Sequence, residues 1–169
     1  MIVVIVIAAG IATTGLITWF VGLNAPQPTK YVSSAFDYEV TMPGKPSVAK
    51  PSTASGLPAE RIQWNGPNGL TITIEAEQLS NAISSDRLDT VLQDSLAGGA
   101  KALKATNTRD QTSYRLDGVA ARSIVVDTAI AGTVYQAVAI KGKVVYTIVI
   151  THPTAAVERS INGSFSFTG

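Results

Sequence analysis

The sequence of 169 residues contains no cysteine. It can therefore form no disulfide, offer no thiolate to a metal and carry no lipid on a lipobox cysteine. Histidine is almost as scarce: His152, next to Pro153, is the only one. A lone imidazole leaves any metal site to carboxylates and any triad without its orienting partner, so His152 reads as a loop histidine at a strand end. Charged residues make up 15% of the chain, and 13 basic side chains nearly balance 12 acidic ones. Neither sign forms a run that could neutralise a row of phosphates, which argues against nucleic acid as a partner. There is no Gly-x-Ser-x-Gly elbow, Gly142-Lys143 lacks a preceding Walker loop, and Gly98-Gly99 belongs to no dinucleotide fingerprint. No catalytic residue, no cofactor and no metal is expected.

Charge is missing altogether before Lys30. The run Met1 to Leu23 is apolar on every face, and at ~1.5 Å per residue it reaches about 34 Å, enough to cross a hydrocarbon core of ~30 Å. A cleaved signal peptide would carry a basic n-region and a small-x-small cleavage site. Leu23-Asn24-Ala25 instead begins with a large residue and is followed by Pro26. The expectation is a retained single-pass anchor in the plasma membrane, over residues 1–23. The α-amino group of Met1, its only nearby positive charge, places the domain on the extracytoplasmic side. Ala8 and Ala12, Ala9 and Thr13, and Gly10 and Thr14 are each four apart. Such rows of small residues let another helix approach closely in lipid, so these six are candidates for packing against integral membrane subunits.

Residues 24–34, with Pro26 and Pro28, read as a spacer, and residues 35–169 as one domain. Phe36, Tyr38, Val40 and Met42 alternate with polar neighbours as in a strand that ends at Pro43-Gly44. Pro43, Pro46, Pro51 and Pro58 then exclude a helix and admit an edge strand at most. Ile62 and Trp64 precede a turn over residues 65–69, after which Leu70, Ile72, Ile74 and Ala76 face inward and Thr71, Thr73, Glu75 and Glu77 outward. A helix starts after Ser84-Ser85, with Asp86 and Asp89 near its N-terminus and Leu88, Val91, Leu92, Ser95 and Leu96 as its stripe. Gly98-Gly99 is its expected stop, with Lys101 to Lys104 as the alternative continuation. Asp117-Gly118, Ala131-Gly132 and Lys141-Gly142 mark hairpins between strands near 108–116, 119–130, 133–140 and 143–151, a four-stranded antiparallel meander. A short helix at 154–161 precedes Ser164-Phe165-Ser166-Phe167, which closes the core. The fold class is thus α+β, an antiparallel β-sheet of six or seven strands with one or two packed helices, preceded by a single transmembrane helix.

The Phe-x-Tyr-x-Val-x-Met-Pro-Gly-x-Pro run (Phe36–Pro46), the mid-domain helix, Asp117-Gly118-Val119-Ala120-Ala121-Arg122, Gly142-Lys143-Val144-Val145-Tyr146 and Ser164-Phe165 resemble the Mog1/PsbP-like superfamily over nearly all of residues 35–168. The resemblance implies a central antiparallel sheet flanked by helices. It also implies a binding or accessory role: PsbP acts on a photosystem, Mog1 on a small GTPase, and actinobacterial members at the cell envelope. This chain differs in carrying its own apolar anchor where relatives have a removable targeting segment or a lipobox. The matched pattern contains no catalytic residue.

Two local patterns remain. Glu75 and Glu77 share a strand face about 7 Å apart, a spacing glycosidases use, but a solvated face with cross-strand Lys or Arg partners is the expected role. Asn162-Gly163-Ser164 matches a glycosylation acceptor and equally an Asn-Gly turn before the last strand. The functional expectation is a non-enzymatic accessory or scaffolding subunit of a larger membrane complex, energy-transducing or respiratory, whose partners are integral membrane subunits and the lipid bilayer. The alternative is an envelope domain that binds a small apolar or glycan ligand between sheet and helix.

Overall fold

Alternating burial fixes the first core strand. In β2 (Tyr38–Met42), Tyr38, Val40 and Met42 are buried while Glu39 and Thr41 are partly exposed, the period of two that a one-sided sheet imposes. Residues 27–51, 53 and 56–169 are described by a computed structural model, and the expected anchor over residues 1–23 lies outside them. β1 (Thr29–Ser33) pairs antiparallel with β2, from Thr29 opposite Met42 to Ser33 opposite Tyr38. This corrects the expected spacer over residues 24–34. Pro26 and Pro28 end before Thr29, and the β-branched and aromatic residues of TKYVS suit the free edge of β2. β10 (Ser166–Phe167) takes the other edge of β2, so a three-stranded sheet is made from the two ends of the described chain.

The larger sheet contains β3 (Ser47–Ala49), β4 (Ala59–Asn65), β5 (Thr71–Gln78), β6 (Ala105–Leu116), β7 (Val119–Thr128), β8 (Gly132–Lys141) and β9 (Val144–Thr151). Their order is β3-β4-β5-β9-β8-β7-β6, antiparallel at every pair. The meander expected from the three turns is present. Asp117 (φ 45°) and Gly118 (φ 80°) are both left-handed, the backbone a tight two-residue hairpin requires. Prolines confine β3 to a short edge, as the sequence suggests. Ile72, Ile74 and Ala76 of β5 are buried and Leu70 packs beside them.

α1 (Ser85–Ala102) lies on one face of this sheet. Leu92, Leu96 and Ala100 pack with Ile124, Val126, Val134, Val138 and Ile140. The helix runs through Gly98-Gly99, so the expected stop there is corrected. Gly99 lies against Gln136, and a Cβ at this position would overlap the glutamine amide. Glycine serves close approach to the sheet here, and the helix ends only at Leu103. Arg122 on β7 donates to both carboxylate oxygens of Asp89 at 2.8 Å, a bidentate tie between sheet and helix.

The opposite face is covered by the three-stranded sheet and by α2 (Ala155–Ser164), whose Thr154 Oγ1 accepts the Val157 amide at 3.3 Å as an N-cap. Val157 and Ile161 of α2 join Tyr38, Met42, Ile62, Ile72, Ile74, Ile148 and Ile150 in the main core. Each fully buried aliphatic side chain of this kind contributes roughly 1.5–3 kcal/mol. Tyr38 stacks on Phe165 with centroids 5.3 Å apart and planes 2° apart, and Tyr146 meets both rings edge-on at 5.9 Å. The Tyr146 hydroxyl donates to the Phe36 carbonyl at 2.8 Å, and the Tyr38 hydroxyl to Glu60 at 3.2 Å.

Burial, reinforced by Glu60, pushes the Tyr31 phenol up to about 12, and burial with the nearby Asp37 charge does the same for Tyr146. Tyr38 and Tyr114 are also raised, chiefly by burial. A phenol raised on folding adds stability that is complete below its unfolded value near 10 and is lost as pH climbs through the folded value. The domain should therefore keep its melting temperature up to about pH 10 and unfold between about 10 and 12. Phenolate absorbance followed alongside circular dichroism checks this: ionisation of these tyrosines coincides with loss of β signal, whereas ionisation near pH 10 in an intact fold contradicts the assigned burial.

Candidate functional site

Helix α2 covers only part of the sheet, and a pocket of about 420 Å³ opens between it and the β6–β8 end, a size typical of small-ligand sites. The sheet contributes Tyr114, Ser123, Val125 and Tyr135. Pro153, Glu158 and Asn162 line the opposite wall, and Arg109 and Asp110 stand at the edge strand. Their position follows from a break in pairing: the β6–β7 register shifts between Arg109 and Thr112, and Asp110 has φ 53°. Such a bulge bends an edge strand and re-aims its side chains.

The charges around the pocket are unequally satisfied. Arg109 Nη2 is 3.2 Å from Asp127 Oδ1, and its Nη1 is 3.8 Å from Asp110. Arg109, together with the Thr133 hydroxyl at 2.9 Å, holds the Asp127 carboxyl below its usual range. Glu158 moves the other way. Burial pushes its carboxyl up, Arg159 opposes that shift, and Asp110 adds to it. Among the described residues, Arg159 and Asp110 act on the Glu158 carboxylate through charge alone, without a hydrogen bond or ion pair at contact distance. Asn162 Nδ2 donates to the Tyr135 hydroxyl at 2.8 Å, while Asn162 Oδ1 and the Tyr114 hydroxyl are buried without a partner in full hydrogen-bond geometry among the described residues. Tyr135 disfavours the Tyr114 phenolate electrostatically and through a side-chain hydrogen-bond interaction, a contact that falls short of strict hydrogen-bond geometry.

The residues singled out by sequence fall elsewhere. Glu75 is opposite Arg61 in register and is bound by it, Nε and Nη2 lying 2.8 and 2.7 Å from Oε2. This is the cross-strand pair of a partly exposed face, worth at most about 1 kcal/mol. Glu77 is partnered as well. His152 is an exposed turn residue with φ 50°, its Nδ1 3.2 Å from the Gly69 carbonyl and its ring against Gly69 and Gly132. Asn162 is neither an Asn-Gly turn nor a free acceptor for a glycan: it sits in the last turns of α2 with its amide nitrogen given to Tyr135. Among the described residues no three metal-ligating side chains cluster, and no helix is long and apolar enough to cross a membrane. The helix-packing candidates Ala8, Ala9, Gly10, Ala12, Thr13 and Thr14 lie outside the described residues.

The pocket was not legible as a site in the sequence, because its members are spread from Arg109 to Asn162 over four elements. One signal does exist. Residues 105–115 lack period-two alternation, as expected of a bulged edge strand.

An unsatisfied buried hydroxyl costs about 1–3 kcal/mol relative to a satisfied one. Tyr114→Phe should accordingly leave the domain as stable as the parent or more so, read as an unchanged or raised midpoint in urea. A clear loss of stability would mean that the hydroxyl has a structural partner.

No protein-family model matches the sequence, and no curated protein gives a significant sequence match. Among solved structures, the chain is similar to the solution structure of cyanobacterial PsbP (CyanoP) from Synechocystis sp. PCC 6803. The TM-score is 0.57 at 11% sequence identity, over 90% of this chain and 99% of that one. At that identity the likeness concerns the fold, and it supports the PsbP part of the expected resemblance without bearing on Mog1. The chain folds as a PsbP-like α+β domain of antiparallel sheets and two helices.

Proposed function

We propose that this chain is a non-enzymatic accessory or scaffolding subunit of a larger membrane complex of the respiratory or another energy-transducing kind. Residues 1–23 serve as its single-pass plasma-membrane anchor and the domain lies on the extracytoplasmic side. The observation that carries this reading is the PsbP-like fold across nearly the whole described chain, a fold whose resemblance implies accessory roles. The uncharged apolar run at the N-terminus supplies the means of attachment. The small face of Ala8, Ala9, Gly10, Ala12, Thr13 and Thr14 supplies the docking element, because in lipid close helix packing contributes most of the association energy. The Arg61–Glu75 face, by contrast, carries exposed pairs that bind weakly.

Purification from membranes in mild detergent, with identification of co-purifying chains, tests this. Stoichiometric membrane subunits are expected with the parent protein and with Glu75→Gln/Glu77→Gln. Gly10→Leu/Ala12→Leu should still insert, since leucine suits lipid, but should lose its partners. If the leucine variant stays bound and the glutamine variant is released, the docking element is the polar sheet face. If the parent purifies alone, the accessory reading fails.

A further inference from the structure

One end of the large sheet gathers exposed apolar surface and unmatched positive charge. It is formed by the turn at 65–69, the β7–β8 hairpin, the start of β6 and His152. Pairing brings these together: Asn65 is opposite Thr71, Thr71 and Val134 are both opposite Thr151, and Thr128 is opposite Ala105. The His152 ring lies against Gly69 and Gly132. At the hairpin tip Ile130 is 90% exposed, the most exposed large apolar side chain among the described residues. Lys101, in the last turn of α1, and Lys104, which precedes Ala105, are exposed at the same end. Lys45 is exposed in the turn between β2 and β3. None of the three lysines enters an ion pair among the described residues. The carboxylates of β7 and α2 at this end are matched, Asp127 by Arg109 and Glu158 by the charge of Arg159.

The chain enters the domain from this side. Thr29 is opposite Met42, and only residues 43–46 separate Met42 from Ser47, which pairs with Gln63 near the Asn65 end of β4. The other end of β2 points away: the Asp37 carbonyl accepts the Thr168 amide, and the Gly169 carbonyl accepts Lys141 at the β8–β9 hairpin. The five residues between Leu23 and Thr29 reach at most about 22 Å, whereas the ten residues of β8 alone extend about 33 Å. With residues 1–23 as the anchor, the end bearing Ile130 is the one nearer the bilayer.

We propose that this end of the domain rests on anionic phospholipid headgroups, with Ile130 in the interfacial layer and Lys45, Lys101 and Lys104 on the phosphates. The inference rests on the anchor reading above and deepens it: the anchor retains the chain, and this contact sets the orientation of the domain. A single exposed isoleucine is ordinary on a protein surface. Three unpaired ammonium groups at the same end distinguish it, because attraction to an anionic surface acts within a Debye length, about 8 Å at physiological salt. Lysine stems are long enough to carry the charge down to the phosphates while the sheet end stays in water.

The chain has no cysteine, so Ile130→Cys and, at the opposite end, Lys143→Cys each create one labelling position. Full-length protein with an environment-sensitive fluorophore at either position is reconstituted into phosphatidylcholine vesicles with or without equimolar phosphatidylglycerol. Flotation with the vesicles and quenching by a headgroup spin-labelled lipid are then measured. In phosphatidylglycerol vesicles, quenching at 130 should exceed that at 143 severalfold. It should fall toward the 143 level in high salt, in phosphatidylcholine alone and in Lys45→Gln/Lys101→Gln/Lys104→Gln, a variant that keeps the parent melting temperature. Equal quenching at the two positions, or quenching at 130 that ignores salt, lipid charge and the lysines, overturns the proposal. Flotation with both probes in water overturns the orientation and leaves the anchor standing, whereas failure to float overturns both. A probe at 130 shielded only in the complex purified from membranes assigns this end to a protein subunit and overturns the lipid contact.

Discussion

The fold depends on an aromatic clasp. Tyr38 of the small sheet is fully buried and lies flat on Phe165, with Tyr146 of the large sheet edge-on to both and Phe167 edge-on to Tyr146 and Phe165. These rings come from β2, from β9 and from the chain end after α2, so one cluster joins both sheets and fixes the exit of the second helix. Offset and edge-on ring pairs add about 0.5–1.5 kcal/mol each beyond the area they bury. Their polar tips are accounted for: Tyr146 is tied to the Phe36 carbonyl and Tyr38 to Glu60. Lys141, which hydrogen-bonds the Gly169 carbonyl, also sits over the Phe167 ring at 4.9 Å and closes the cluster from outside.

The pocket follows from where that clasp sits. The small sheet is drawn to the β5–β9 region by Tyr38 and Tyr146, and α2 must start from the end of β9 and return to β2, where Ser164 Oγ accepts the Thr41 amide at 3.2 Å. Little chain remains to cover the far end of the same face, at β6 and β7. A gap there leaves Tyr114 and Val125 only partly buried, with the buried Tyr135 beside them. The opposite face has no such gap at that end, because the eighteen residues of α1 lie directly across β6–β8.

Most of the element order could be read from the sequence because the relevant signals are local. Period-two alternation in Phe36–Met42 and Leu70–Gln78, the Asp117-Gly118 turn and the Leu88 to Leu96 stripe each depend on neighbours in the chain. β1 escaped such reading because five residues at an edge, only one of them buried, carry little alternation. Gly98-Gly99 looked like a helix end because glycine usually marks one, whereas its role is set by Gln136, 37 positions onward. The pocket was hidden for the same reason. Arg109, Tyr114, Tyr135, Glu158 and Asn162 become neighbours only through pairing and helix docking, and each alone reads as an ordinary surface or core residue.

Equilibrium unfolding of Phe165→Ala tests the clasp most directly. Loss of a buried phenylalanine that bridges two sheets should cost about 3–5 kcal/mol. Amide exchange in β1 and β2 should rise well above that in β7 and β8, because the small sheet is held chiefly through these rings. A cost below about 1 kcal/mol, or exchange that increases equally in all strands, would contradict the view that the aromatic cluster holds the two sheets together.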